Sequence, residues 1–164
     1  MPGLKIKKLN EIKRIIRQAR KKYNVRVVFT NGCFDLVHLG HISYLQRAKE
    51  LGDILVVGVN SDSSVRRIKG KPRPITPEKD RAVILAALEC VDYVVIFKED
   101  TPLKLIKAIR PDVLVKGADW PKNKVVGYST VKSYGGQLRL IPFLKGRSTT
   151  GLIKKIVKAY RKIL

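Results

Sequence analysis

The chain has two histidines, His38 and His41, three residues apart in the stretch TNGCFDLVHLGH (30–41), with Gly40 between them. An apolar run precedes them and a helical pattern follows. Imidazoles so placed can grip phosphate oxygens as paired donors, ligate a metal, or serve as ordinary polar loop residues. A zinc site needs a third or fourth Cys, His or Asp ligand, and no such cluster accompanies them. The position itself suits a phosphate, because the first turn of a helix offers free N–H groups and the positive end of its dipole. The same dipole disfavours a charged His41, so a neutral donor is expected there. Gly32 permits a tight backbone at the strand end, and Gly40 lets a ligand approach the helix start. Neither G-x-G-x-x-G nor G-x-x-x-x-G-K-[ST] follows the first apolar run, so neither of those phosphate loops is available.

The elements that must hold these residues are legible as five short apolar runs: VRVVFT (25–30), DILVVGV (53–59), DYVVIF (92–97), DVLVKG (112–117) and QLRLIP (137–142). Continuous rather than alternating apolar strands predict a parallel sheet covered on both faces. Helical patterns separate them. A first helix over about 10–23 carries Ile12, Ile15, Ile16 and Ala19. After the histidines, Leu45, Ala48 and Leu51 can face the sheet. Thr76-Pro77 and Thr101-Pro102 each set a capping hydroxyl before a proline at the first helical position, opening helices to about Leu88 and Ile109. The last helix follows Ser-Thr-Thr and shows Leu152, Ile153, Ile156, Val157 and Tyr160 at helical spacing. This alternation predicts a Rossmann-like, doubly wound α/β fold with a five-stranded parallel sheet, helices on both faces and right-handed crossovers. Ligands of such sheets bind outside the carboxyl ends of the strands, where strand order reverses. No repeat, low-complexity segment or linker is visible, so one domain over 1–164 is expected, with the helix of about 10–23 ahead of a core of about 25–164.

The charge is strongly positive, with 35 Lys+Arg against 13 Asp+Glu for a net +22. Such a field attracts polyanions. The basic residues are scattered, and no base-reading helix pair or aromatic signature is evident, so only non-specific nucleic-acid binding is expected. Small phosphorylated substrates gain from the same field. Cys33 and Cys90 lie far apart and fit a reducing, cytoplasmic setting. The first residues lack the apolar run of a secretory leader, and no stretch of 18 apolar residues predicts a membrane span.

GCFDLVHLGH (32–41) resembles the G-x-F-D-x-x-H-x-G-H signature of the nucleotidyltransferase superfamily, whose H-x-G-H box contacts nucleoside triphosphate phosphates. RSTTGLIKKI (147–156) resembles that superfamily's C-terminal Ser-Thr-Thr box at a helix start. More narrowly, the stretches 59–81, 87–120 and 148–156 are similar to the adenylyltransferase domains of ADP-heptose synthases, enzymes of the bacterial lipopolysaccharide core. The likeness covers about 25–158. It implies attack of an acceptor phosphate on the α-phosphorus of a nucleotide, with pyrophosphate leaving and no covalent enzyme intermediate. Such chemistry needs positioned donors and cations rather than a nucleophile.

Residue by residue, the resemblance makes His38 and His41 the phosphate-binding pair. Lys69 is the lysine that closes over the triphosphate, with Lys71 and then Arg73 as alternatives. Arg81 is expected to point toward the site. Thr30, Asn31 and Phe34 are expected to line the strand-end pocket, with Gly40 as the close approach. Gly117 and Asp119 match the position beside nucleotide and acceptor, and Ser148, Thr149 and Thr150 match the helix-start box. Ser148 also suits an N-cap. Asp35 is expected either to meet substrate or to hold its loop by accepting backbone bonds. Trp120 stands where heptose enzymes often carry tyrosine, whereas a glycerol-phosphate cytidylyltransferase carries Asp-Asp-Trp. Phe143 stands where those cytidylyltransferases carry arginine, which favours ATP. Cys33 is read as strand-end packing. Mg²⁺ is expected to arrive with ATP, since no acidic cage is visible. A homodimer and a separate sugar kinase that makes the sugar 1-phosphate complete the expectation. The alternatives are a cytidylyltransferase for glycerol 3-phosphate or another polyol phosphate, an FAD- or pantetheine-type adenylyltransferase, against which the Ser-Thr-Thr box argues, and a basic nucleic-acid-binding protein on the same fold.

Overall fold

A computed structural model describes residues 2–161; Met1 and residues 162–164, the ends of the expected domain, lie outside the described residues. The five apolar runs form β1 (Val27–Gly32), β2 (Ile54–Asn60), β3 (Tyr93–Phe97), β4 (Val113–Gly117) and β5 (Gln137–Ile141). They make one parallel sheet in the order β3-β2-β1-β4-β5. The helices are α1 (Leu9–Tyr23), α2 (Leu39–Lys49), α3 (Asp62–Lys69), α4 (Glu78–Ala86), α5 (Leu103–Ile109), α6 (Tyr128–Ser133) and α7 (Thr149–Tyr160).

Alternating side chains of the same strands feed two cores. Val28, Leu55, Val57, Val113 and Val115 pack with Leu45 and Ala48 of α2 and Leu85 of α4. Val27, Phe29, Val56 and Leu114 pack on the other face with Ile12 and Ile16 of α1, Ile106 of α5 and Val131 of α6. β1 lies at the centre because its apolar residues are wanted on both faces. Val27, Val28 and Phe29 are fully buried, each contributing about 1.5–3 kcal/mol of apolar transfer.

The seam that matters lies between β1 and β4. β1 pairs with β2 along its length, from Val27↔Ile54 to Gly32↔Val59. With β4 it pairs only at Val28↔Val113 and Phe29↔Leu114. The two strands therefore part toward their carboxyl ends, where strand order also reverses, and a crevice opens there.

Several local expectations change. Pro77 and Pro102 themselves take the N-cap positions of α4 and α5, so Thr76 and Thr101 do not cap. The basic stretch after β2 is helical up to Lys69, because Ser61 caps it by accepting from the Ser64 N–H at 3.2 Å. The apolar stripe of α7 is not covered: Leu152, Ile156, Val157 and Tyr160 are exposed and no residue of that helix is buried. Helical spacing foretells a face, but not what covers it.

Candidate active site

Three segments close over the parted strands: residues 33–38 after β1, residues 70–76 between α3 and α4, and residues 142–148 before α7. The cleft they enclose has a volume of about 530 Å³. The first segment turns sharply at Phe34 and Leu36, both with left-handed backbone (φ 48° and 51°). Gly32, expected to supply that freedom, has no left-handed backbone and instead gives the Phe34 ring close room. A Cβ there would stand 3.2 Å from the Phe34 ring.

Asp35 organises the other segments. Its fully buried carboxylate accepts the N–H groups of Ile75 and Thr76, each at 2.9 Å, and the Arg73 guanidinium at 2.6 Å. Burial alone would raise its pKa, but the two amides and the arginine outweigh that and hold it below the ordinary value. Asp35 lines the cleft, but its carboxylate already accepts from three protein donors and offers an anionic substrate only like charge. Of the two roles expected for Asp35, the loop-holding one is realised. The Thr149 hydroxyl donates to the Asp35 carbonyl at 2.7 Å and so ties α7 to the same loop.

Arg81 also departs from expectation. It is fully buried beneath the cleft residues Cys33 and Asn60 and does not itself line the cleft. Its guanidinium donates to the carbonyls of Thr76 at 2.9 Å, Asn60 at 2.8 Å and Cys33, and to the Asp62 carboxylate at 2.7 Å. It is a strut between the ends of β1 and β2 and the start of α4. Thr30 is likewise buried, with its hydroxyl 2.7 Å from the Tyr44 hydroxyl, so Tyr44 rather than Thr30 lines the cleft.

His38 is the N-cap residue of α2, and His41 sits in its first turn. Their rings stack at 3.9 Å with 22° between planes, and the Phe34 ring meets His41 edge-on at 5.4 Å. Both Nδ1 atoms are buried and unpartnered. Burial, with His38 alongside, lowers the His41 pKa to about 4. Burial and then the nearby Arg147 charge lower that of His38. Both imidazoles are neutral at pH 7. Gly40 is needed because a Cβ would lie 3.0 Å from the His38 ring and 3.1 Å from Arg147 Cβ. The close approach there is made by the protein's own residues.

Around this pair, Lys69 at the end of α3 and Arg73 line the cleft, while Lys71 is exposed at the loop tip and does not. Ser148 caps α7 by accepting from the Gly151 N–H at 3.1 Å, and Thr149 and Thr150 line the cleft. Gly117 and Trp120 line the opposite wall, and Asp119 is exposed between them. A Cβ on Gly117 would lie 2.3 Å from the Phe143 ring, so that ring is seated on bare backbone. Asn31 and Phe34 also line the cleft, as expected.

Lys116 went unnoticed in the sequence. It bonds to the Asn31 side-chain oxygen in the crevice between β1 and β4 and lines the cleft. Desolvation pulls its pKa down to about 8. The available signal was a single cation at the carboxyl end of an otherwise apolar strand, VLVKG.

Residues 29–150 match the cytidylyltransferase-like family. The chain is 58% identical to the bifunctional protein HldE of Geobacter metallireducens over 95% of this chain and 32% of that protein. It is 57% identical to the bifunctional protein HldE of Campylobacter concisus over 94% of this chain and 31% of that one. The chain thus spans about a third of the length of the curated relatives it matches. Among solved structures, the lipopolysaccharide core biosynthesis protein from Thermoplasma volcanium is 32% identical, with a TM-score of 0.61 over 75% of this chain and 99% of that one. A pantoate-beta-alanine ligase from Francisella tularensis shares the fold at 16% identity, with a TM-score of 0.58 over 95% of this chain and 77% of that one. With the stacked pair of the H-x-G-H box at the start of α2 and the Ser-Thr-Thr box at the start of α7, these matches show that the chain belongs to the cytidylyltransferase-like family of nucleotidyltransferases.

Proposed function

We propose that the protein transfers AMP from ATP to a sugar 1-phosphate resembling D-glycero-D-manno-heptose 1-phosphate, giving an ADP-sugar and pyrophosphate. An oxygen of the acceptor phosphate attacks the α-phosphorus. The bond from that phosphorus to the bridging oxygen breaks, and pyrophosphate leaves with the electron pair. A phosphate monoester is mostly dianionic above about pH 6, so the attack needs no base and no protein nucleophile. Cys33 suits neither role, since burial raises its thiol pKa.

The observation that carries the reading is the neutral His41 at the start of α2, backed by the stacked His38 ring and lining one cleft with Thr149 and Thr150 at the start of α7. Neutral imidazole N–H groups and helix-start amides can follow charge as it moves onto the leaving pyrophosphate. Lys69 adds positive charge from the loop side, and Arg73, whose charge Asp35 balances, also lines the cleft.

The described residues hold no group of three or more potential metal ligands. Asp119, the exposed carboxylate between the cleft residues Gly117 and Trp120, would hold Mg²⁺ that arrives with the triphosphate. When bound, the ion neutralises phosphate charge. The likeness to ADP-heptose synthase adenylyltransferase domains and the Phe143 ring on Gly117, where an arginine would mark a glycerol-phosphate cytidylyltransferase, both support ATP over CTP. A kinase forming sugar 1-phosphates must supply the acceptor.

Pyrophosphate release should be followed with ATP and CTP against heptose 1-phosphate, mannose 1-phosphate and glycerol 3-phosphate. ATP with a sugar 1-phosphate is expected to be fastest. CTP turnover about tenfold above ATP on the best acceptor, more than 1 kcal/mol in transition-state terms, would reverse the nucleotide assignment. No release with any pair, together with one oligonucleotide held selectively at about 200 mM salt, where backbone-only binding fails, would favour a nucleic-acid-binding protein.

A further inference from the structure

The cleft has two halves, because neighbouring residues of a strand face opposite sides of the sheet. Thr30 points to the α2 face, where its hydroxyl meets Tyr44. Asn31, the next residue, points to the α5 face. There a Cβ on Gly58 would stand 3.1 Å from Asn31 Cβ, 3.1 Å from the Phe29 ring and 3.2 Å from Leu105 of α5. On β4, Val115 packs in the α2 core and Leu114 in the α5 core, so Lys116 shares the α5 side with Asn31. The histidines lie on the α2 side, at the start of that helix and against Phe34 of its core. Asn31 and Lys116 form the floor of the other half, directly where β1 and β4 part.

Lys116 is unusual among the cations of this chain. Its ammonium donates to two atoms of one residue, the Asn31 side-chain oxygen and the Asn31 carbonyl at 3.4 Å. Among the described residues no carboxylate forms a salt bridge with it. An ammonium drawn out of water with no carboxylate in contact, Asp119 acting on it only from a distance, is costly, and an apolar side chain of that length would be cheaper. A third N–H remains for whatever enters the cleft.

We propose that Lys116, oriented by Asn31, is the ligand for the acceptor's phosphate, a phosphate monoester dianion, in the half of the cleft across the sheet edge from the triphosphate. The assignment rests on the reaction proposed above. That reaction needs two phosphate groups in line, and the histidine side accommodates one of them. A cation on the opposite side of the parted strands then meets the second phosphate, and by neutralising it lowers its repulsion from the triphosphate.

The test compares wild type with Lys116→Met, which keeps the length of the side chain without the charge, and Lys116→Arg. Steady-state kinetics should vary the sugar 1-phosphate at saturating MgATP. Calorimetry should measure binding of MgATP alone and of mannose 1-phosphate alone. Lys116→Met is expected to raise the KM for the sugar phosphate, and to weaken mannose 1-phosphate binding, by about 10- to 100-fold, the range for one charge-assisted bond. The Kd for MgATP should stay within about threefold, and Lys116→Arg should recover part of the loss. Equal losses for MgATP and sugar phosphate would overturn the proposal by making Lys116 a nucleotide ligand. Unchanged sugar-phosphate affinity in a folded Lys116→Met would overturn it by making the lysine structural. A wild type that binds mannose 1-phosphate but transfers to no sugar phosphate would refute the reaction. The calorimetric comparison would still decide the role of Lys116.

Discussion

The two edges of the sheet are built with opposite chemistry. At the amino edge, carboxylates placed just before the strands hold neighbouring strands together. Asp112 accepts the Val27 N–H at 2.7 Å and Arg20 at 2.8 Å. Asp92 accepts the Leu55 N–H at 2.7 Å and Lys49 at 2.6 Å, and Asp53 accepts the Arg26 N–H at 2.7 Å. Each of these groups is engaged within the protein. At the carboxyl edge, Arg81 and Asp35 are similarly engaged, but the buried Nδ1 atoms of His38 and His41 have no partner, and Lys116 has one neutral one. An unmet polar group costs free energy inside a protein. Its concentration at one edge marks where a ligand completes the structure, whereas satisfied groups mark where the fold is held.

That contrast can be broken by substitution, beginning with the largest effect. Arg81→Met should cost about 3–5 kcal/mol of stability, since it strands Asp62, the buried Asn60 carbonyl and two part-buried carbonyls. Thermal or urea unfolding would show it, and a loss under about 1 kcal/mol would contradict the strut role. The histidine pair should behave in the reverse way. His38→Ala or His41→Ala should lower kcat by about 10²-fold with little change in melting temperature. Near-wild-type turnover in both variants would remove the phosphate clamp.

The neutral state of the pair has its own signature. His41 is depressed to about 4, so the unfolded chain binds more protons than the folded one between that value and the ordinary histidine pKa near 6.5. Stability should therefore fall as pH drops through this window. NMR titration should show no His41 transition near 6.5, and one there would mean that the ring is solvated.

The smallest effect is expected at the amino edge. Asp112→Ala should cost about 1–2 kcal/mol through the unpaired Val27 N–H, with kcat unchanged. A drop in kcat beyond the stability loss would erase the distinction between the edges.

Much of this was written locally. The five strands, the two boxes and the helix starts at His38 and Ser148 depend on side-chain periodicity and on residues within a few positions of one another, which a linear reading captures. The exchange of roles among the charged residues was not local. Arg81 and Lys116 look alike in the sequence, each a cation in a stretch similar to the adenylyltransferase domains of ADP-heptose synthases. Arg81 became a strut because folding brought the carbonyls of Cys33 and Asn60 to it across 48 and 21 residues. Lys116 became a candidate ligand because β4 pairs with β1 for only two residues before the strands part. Asp35 lost its free carboxylate to amides 40 and 41 residues away. Sequence alone determined which groups reach the carboxyl edge of the sheet. Only the tertiary structure decided which were already satisfied there, because hydrogen-bond saturation and desolvation depend on neighbours that are distant in the chain.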